Sequence, residues 1–306
     1  MKKVLVTGAN GFIGRHCLPL LTQNGYEVHA IYLDKAKLDF PDVHWHQADI
    51  LHARETEKLV SFVKATHLLH LAWYTEHKKY WTASENHAWV GASFALVKAF
   101  NENGGKRAVI AGTCAEYDWE FQSRLSEDST PLAPATIYGA CRDELRKKIE
   151  EFSKESGLSS AWARIFFVYG PGEHPARLVS SVIASLLQGK QVPCSKGEQE
   201  RDFLFVEDVA SAFVSILESD FKGAINIGSG SSVQVKEVIN IISNKIGRPD
   251  LIQFGRLATP ANEPKLLVAD ASKIRNRLGW KPRYGLNQGM DKTIAWWKEQ
   301  LKKDEI

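Results

Sequence analysis

Tyr138 stands four residues ahead of Arg142 in the segment IYGACRDEL, residues 137–145. Four residues are about one helical turn, so a helix here puts the phenol and the guanidinium on one face. A fixed cation beside a phenol favours the ionised form, which suits the phenol to giving and taking a proton. Upstream, Thr113 in VIAGTCAEY places a hydroxyl where an apolar run ends. A hydroxyl at the C-terminal end of a strand can polarise a substrate oxygen while the tyrosine moves the proton. With a hydride carrier alongside, that is reversible oxidation of an alcohol to a carbonyl.

The N-terminal segment KVLVTGANGFIGRH offers a place for such a carrier. It reads as a strand, a turn holding Gly8, Gly11 and Gly14, and a helix beginning near Phe12. Glycines permit a tight turn and close backbone approach to a pyrophosphate, whose charge the helix N-terminus stabilises. Asn10, Phe12 and Ile13 belong to the same cofactor-binding turn. The dinucleotide fold places an acid after the second strand to bind the ribose 2′-hydroxyl. Here Asp34 follows YEVHAIY and would specify NAD(H), whereas Lys35, Lys37 and Arg15 would hold a 2′-phosphate and specify NADP(H). NADP(H) is the reading preferred. Asp49, followed by Ile50, comes after the third strand and can accept from an adenine amino group or cap a helix.

These residues need a scaffold. Short apolar runs rich in β-branched and aromatic residues (KVLVT, YEVHAIY, VHWHQ, HLLHLA, RAVIAG, AWARIFFV) alternate with helical spacing over 13–23, 83–101 and 138–155. That alternation predicts an α/β fold, a Rossmann-type doubly wound parallel sheet over 1–170. From about 171 to 306, loops rich in Gly and Pro separate shorter helices, which predicts a stretch that is mainly a smaller C-terminal substrate-binding lobe, with later strands free to return to the first domain's sheet. The chain has 306 residues, 44% apolar and 25% charged, with a net charge of +3 and no basic run, so nucleic acid is not an expected partner. Cys17, Cys114, Cys141 and Cys194 are widely spaced without a C-x-x-C pair, the pattern of reduced thiols rather than disulfides. The apolar start stops at Thr7, and no run approaches the ~18 residues needed to span a bilayer. A cytoplasmic protein is expected.

The T-G-x-x-G-x-x-G turn, HLA after the fourth strand, the tyrosine at a helix start, RDFLFVEDVA, NIGSG and LGWKP occur in this order along nearly the whole chain. In this the chain resembles the extended short-chain dehydrogenases/reductases, more narrowly the nucleotide-sugar epimerase/dehydratase/ketoreductase group. The resemblance implies NAD(P) as cofactor, with Leu71 and Ala72 of HLA beside it. Tyr138 takes the place of the catalytic tyrosine, Thr113 that of the hydroxyl partner, and Arg142 that of the family lysine. Arginine keeps the charge but presents a longer planar fork, so the grip on the cofactor ribose changes while the electrostatic task survives.

In the family's dehydratases an Asp and a Glu follow the threonine. Here Cys114 and Ala115 stand there, and neither serves as a general acid or base, which argues against dehydration. Phe167 and Trp89 replace asparagines usual in the epimerases, although Asn86 lies near the second place. A more apolar pocket suits a 4-keto (6-deoxy) sugar, so ketoreduction is placed ahead of 4-epimerisation. A non-catalytic NADP-sensing module is the reading from another class. By the same resemblance Arg201 binds the diphosphate, Arg177 belongs to a lid over the nucleobase, and the helices over 83–101 and 138–155 form a homodimer. The second family arginine finds no match, since Pro260 stands where it is sought. The aromatic stretch 72–81 is expected either to line the cleft or to pack a loop. His44 and His46 share a strand face with no third ligand in view, and no metal is expected.

Overall fold

Val4, Leu5 and Val6, in the middle of the first strand, are wholly buried, as expected of a strand covered on both faces. In a computed structural model that describes residues 2–34, 40–259 and 263–304, the chain alternates strands and helices. It runs β1 (Lys2–Thr7), α1 (Gly14–Gln23), β2 (Tyr26–Tyr32), β3 (Val43–Gln47), α2 (Ala53–Val63), β4 (His67–His70), α3 (Glu85–Glu102) and β5 (Arg107–Thr113). It continues through α4 (Ile137–Ser156), β6 (Ser159–Ile165), β7 (Phe167–Tyr169), α5 (Leu178–Leu187), β8 (Val192–Pro193), β9 (Glu200–Arg201), β10 (Phe203–Phe205) and α6 (Val206–Glu218). The remainder is β11 (Gly223–Ile227), β12 (Val233–Gln234), α7 (Val235–Ile246), β13 (Ile252–Gln253), β14 (Leu266–Leu267), α8 (Ser272–Leu278) and α9 (Leu286–Asp304).

The main sheet has seven strands in the order β11-β6-β5-β4-β1-β2-β3, all pairs parallel. The strand order reverses between β1 and β4, and in such sheets ligands bind at the carboxyl ends of the strands at that point. Two apolar layers sandwich the sheet. Cys17, Leu18 and Leu21 of α1 pack with Val209, Phe213 and Ile216 of α6 on one face. Val60 of α2, Leu96 and Phe100 of α3, and Leu145 and Ile149 of α4 cover the other.

The C-terminal lobe gathers α5, α7 and α9 around Ile183, Leu186, Val238, Ile242 and Met290. The lobe does not take the whole chain after 170, because β11 joins the main sheet beside β6 and α6 packs on its face. The run AWARIFFV, read as one strand, is two. Strand β6 stays in the main sheet to Ile165, then Phe166 N–H donates to Ile227 O and Phe167 N–H to Asp202 O, so β7 pairs with β10 instead. No described helix is long and apolar enough to cross a membrane.

Candidate active site

The glycine turn joins β1 to α1 with the close contacts its sequence requires. Gly8 has φ +67°, and a Cβ there would lie 2.8 Å from Ala72 N, at the end of the neighbouring β4. A Cβ at Gly14 would lie 2.2 Å from Gly8 O, so only glycine lets α1 begin so near the turn. The helix starts at Gly14 rather than near Phe12, with Ile13 at its cap. Thr7 ties the turn to β4: its Oγ1 accepts from Leu71 N–H and Ala72 N–H and lies 2.7 Å from His70 Nδ1. Burial and the nearby Arg142 hold His70 down at about 3, so its ring is neutral at pH 7.

Tyr138 owes its place to three local devices. The Thr136 side chain accepts from Gly139 N–H and caps α4, which puts Tyr138 in the first turn. Strand β5 stops at Thr113, where Oγ1 accepts from Ala115 N–H and the Glu116 carboxylate accepts from Thr113 N–H. Between these two stops sits Gly139, where a Cβ would stand 2.2 Å from Ala115 O. The glycine lets the start of α4 press onto the end of β5, and Tyr138 comes within hydrogen-bonding reach of Thr113. Burial raises the Tyr138 pKa, while Arg142 and the Thr113 contact act against that rise.

Arg142 lies on the same face as Tyr138, as the spacing predicts. Its guanidinium carbon is 4.3 Å from the Trp73 ring centroid and 5.9 Å from that of Tyr138. Nη2 donates to Ala111 O, but Nε and Nη1 are buried without a hydrogen-bond partner. Two orphaned donors of a buried cation cost several kcal/mol by order of magnitude unless an acceptor arrives. A ribose hydroxyl of a nicotinamide dinucleotide is such an acceptor, and with the glycine turn this makes the chain's residues fit that cofactor.

Stretch 72–81 lines the site. The Tyr80 and Trp81 rings stand edge-on to Tyr138, at 5.0 and 5.7 Å between centroids, and Tyr138 N–H donates to Trp81 O. The Arg177 side chain donates to the Tyr80 hydroxyl at 3.3 Å, which ties it to the same aromatic group. Asn86 is fully buried: it accepts from Trp73 Nε1 and donates to Tyr80 O and Ala83 O, so it shapes the loop rather than facing the cleft. Trp89 packs near Trp73, at 6.0 Å.

Next to Thr113 in the chain, burial pushes the Cys114 thiol up to about 12, so it stays protonated at neutral pH and is a poor acid. Glu116, the nearest carboxylate, is spent on Arg164 Nε at 2.7 Å and on Trp162 Nε1, all within the core. Arg201 is 3% exposed, lies over the Phe167 ring and donates to Glu200 O. Its Nη2 pairs with the Glu263 carboxylate rather than with Asp202 or Glu200. Asp202 instead accepts from Ser229 and Gly230 of NIGSG, binding that loop to β9–β10. The pair with Glu263 and the bond to Glu200 O thus occupy both terminal nitrogens of Arg201.

Asp34 is exposed just past β2, and Lys35, Lys37 and Pro260 lie outside the described residues. Arg15 donates to Gly11 O and Asn10 O, which places it above the turn. Asp49 Oδ1 accepts from Leu51 N–H, closing the turn that carries the buried Ile50, and His52 rather than Asp49 stands at the N-cap position of α2, with no side-chain capping bond. All four cysteines are free and buried. The pairing of His44 and His46 with no third ligand needs correction: Glu27 and His29 of β2 stand beside them.

Sequence reasoning missed Gly139 and Glu263, and had Trp73 only as part of the aromatic stretch 72–81. The first had a signal, a glycine directly after the candidate tyrosine; the other two depend on tertiary approach.

A reversing parallel sheet with a glycine turn at the switch point, and a Thr-Tyr-cation set beside it, defines a nicotinamide-dinucleotide enzyme of the short-chain dehydrogenase type. The chain belongs to the NAD dependent epimerase/dehydratase family, which it matches over residues 4–228, and so to a group of enzymes of nucleotide-sugar metabolism. It is 27% identical to UDP-glucuronic acid decarboxylase 1 of Xenopus tropicalis, over 98% of this chain and 73% of that protein. Among solved structures it resembles MoeE5 in complex with UDP-glucose and NAD, at 30% identity and a TM-score of 0.85 over 98% of this chain and 99% of the other. It also resembles the UDP-N-acetylglucosamine 4-epimerase of Methanobrevibacter ruminantium M1 in complex with UDP-N-acetylmuramic acid, at 25% identity and a TM-score of 0.88 over 98% and 99%.

Proposed function

We propose that the protein catalyses reversible oxidation and reduction at one carbon of a nucleotide-linked sugar, in the direction of reducing a 4-keto (6-deoxy) sugar to the alcohol. The observation that carries this reading is the meeting of Thr113, Tyr138 and Arg142 at the carboxyl ends of the strands, beside the glycine turn. Bound there, a nicotinamide dinucleotide supplies or accepts the hydride. Tyr138 gives its phenolic proton to the sugar oxygen as the carbonyl is reduced, and Thr113 orients that oxygen. Arg142 keeps positive charge beside the phenol and offers Nε and Nη1 to the cofactor ribose. Phe167, Tyr80 and Trp81 give the sugar an apolar wall, which favours a deoxy-sugar over a fully hydroxylated hexose. The high thiol pKa of Cys114 and the engagement of Glu116 leave no free acid/base pair there for dehydration.

By the family resemblance Arg201 would receive the diphosphate and Arg177 would belong to the lid over the nucleobase. For the coenzyme, Arg15 is occupied by turn carbonyls, which weakens the case for a 2′-phosphate, and Asp34 is exposed just past β2, free to accept from a ribose hydroxyl. NAD(H) is therefore better supported than NADP(H), with Lys35 the residue that would reverse the preference. Helices α3 and α4, packed side by side, are the surface on which a homodimer would form.

The test is to incubate the protein with a panel of nucleotide-sugars and 4-keto-6-deoxy nucleotide-sugars, following NADH and NADPH separately. Stoichiometric coenzyme consumption with a reduced sugar product supports the reading. Interconversion of two sugars without net coenzyme use replaces it with 4-epimerisation. Coenzyme binding with no turnover across the panel leaves the sensing module.

A further inference from the structure

Strands β2 and β3 lie at the edge of the main sheet in parallel register, with His29 paired to His44 and Ile31 to His46. Alternate residues of a strand share a face, so Glu27 and His29 of one strand and His44 and His46 of the other meet on one side, next to α2. The His29 and His44 rings stack with centroids 4.8 Å apart, and His29 Nε2 lies 2.8 Å from Glu27 Oε1. One ligating atom from each of Glu27, His29 and His44 falls within 4.8 Å of the others. His29 Nδ1 lies 2.8 Å from His46 Nε2.

We propose that Glu27, His29 and His44 form a divalent transition-metal site, with Zn²⁺ as the ion, that clamps the edge strand β3 to β2. The chemistry of the donors selects the class: two imidazoles and a carboxylate suit Zn²⁺, and three protein ligands leave a fourth position for water. The ring geometry supplies the usual outer support. A metal-bound histidine gives its second ring N–H to an acceptor, and His46 Nε2 is placed to take it from His29 Nδ1. The ion enters between His29 Nε2 and Glu27, replacing their direct contact. It also competes with Lys3, whose Nζ lies 3.1 Å from Glu27 Oε1, so affinity is expected in the micromolar range. The site sits toward the end of the sheet opposite the glycine turn, since Glu27 pairs with Lys3 at the start of β1. It is independent of the proposed reaction.

The test is calorimetric titration of ZnCl₂ into the chelator-stripped, full-length protein in a non-coordinating buffer, with thermal unfolding measured in parallel. One site is expected, with the unfolding midpoint raised by Zn²⁺ through preferential binding to the folded state. His44 is exposed, so His44→Ala keeps the fold, as circular dichroism would verify, and should lose both binding and the thermal shift. Glu27→Gln should do the same, and His46→Ala should weaken binding about tenfold or more. His174→Ala is the control, because His174 stacks on His77 elsewhere on the chain. The proposal is overturned if the wild type takes up no Zn²⁺ at micromolar concentrations. It is equally overturned if binding survives His44→Ala, or follows His174 instead.

Discussion

Arg142 lies against Trp73, its guanidinium carbon 4.3 Å from the ring centroid, with one nitrogen on Ala111 O. The ring and the carbonyl hold the guanidinium from two sides next to Tyr138.

Arg142→Lys should therefore keep measurable turnover, because a cation remains one helical turn from Tyr138. Arg142→Met should lower kcat about 10²-fold. Loss of the charge also removes a pull that lowers the Tyr138 pKa, against the burial that raises it. The pH limb assigned to Tyr138 should move to higher pH in Arg142→Met, read from a pH profile of kcat. An unmoved limb would contradict the electrostatic role.

Gly139→Ala should damage the site without touching any reacting group. The added Cβ would meet Ala115 O at 2.2 Å, a backbone atom that cannot swing aside. The expected cost is about 1–3 kcal/mol by urea denaturation, with kcat falling more than KM rises, because Tyr138 and Thr113 are pushed apart. Wild-type stability and kcat would show that α4 does not need this approach.

Glu263→Gln should improve substrate binding. The carboxylate now occupies Arg201, and an uncharged amide competes less well with a diphosphate. A partly exposed pair of this kind is worth up to about 1 kcal/mol, so KM for the nucleotide-sugar should fall by as much as about fivefold. Arg201→Ala should raise it, and opposite signs for the two variants are the check.

Much of this was legible in the residues themselves. The glycine turn, Thr113 and the Tyr138–Arg142 spacing are local patterns, each decided by neighbours within one turn or one strand end, and the structure brings them together. Helix 138–155 was readable to within a residue, because Thr136 caps its start and Gly157 closes its end. The rest depends on partners distant in sequence. The break at Phe166 follows from a change of strand partner that no alternation of apolar residues signals. Trp73 under Arg142 and Glu263 on Arg201 are tertiary approaches. Glu27 and His29 join His44 and His46 only through the register of β2 on β3.

Glu173 supplies a prediction about pH and stability. It is buried and accepts from Ser180 N–H and Oγ, and burial raises its carboxyl from 4.5 to about 7, against the pull of Ser180 and Arg177. With the folded value above the unfolded one, the neutral carboxyl's contribution is full below pH 4.5 and is lost as pH rises to about 7. Glu173→Gln is neutral throughout and keeps an acceptor for Ser180. Relative to wild type it should gain on the order of 1–3 kcal/mol at pH 8 and little at pH 4, measured by denaturant unfolding at both pH values. Equal differences at the two pH values would count against it.

The central claim is that Tyr138 moves the proton while hydride is exchanged at a sugar carbon. The direct measurement is coenzyme-linked turnover by Tyr138→Phe on the substrate that the panel identifies, with coenzyme and substrate binding followed by calorimetry. A loss of about 10²–10⁴-fold in kcat with both ligands still bound is the predicted result. Wild-type turnover by Tyr138→Phe would contradict the account.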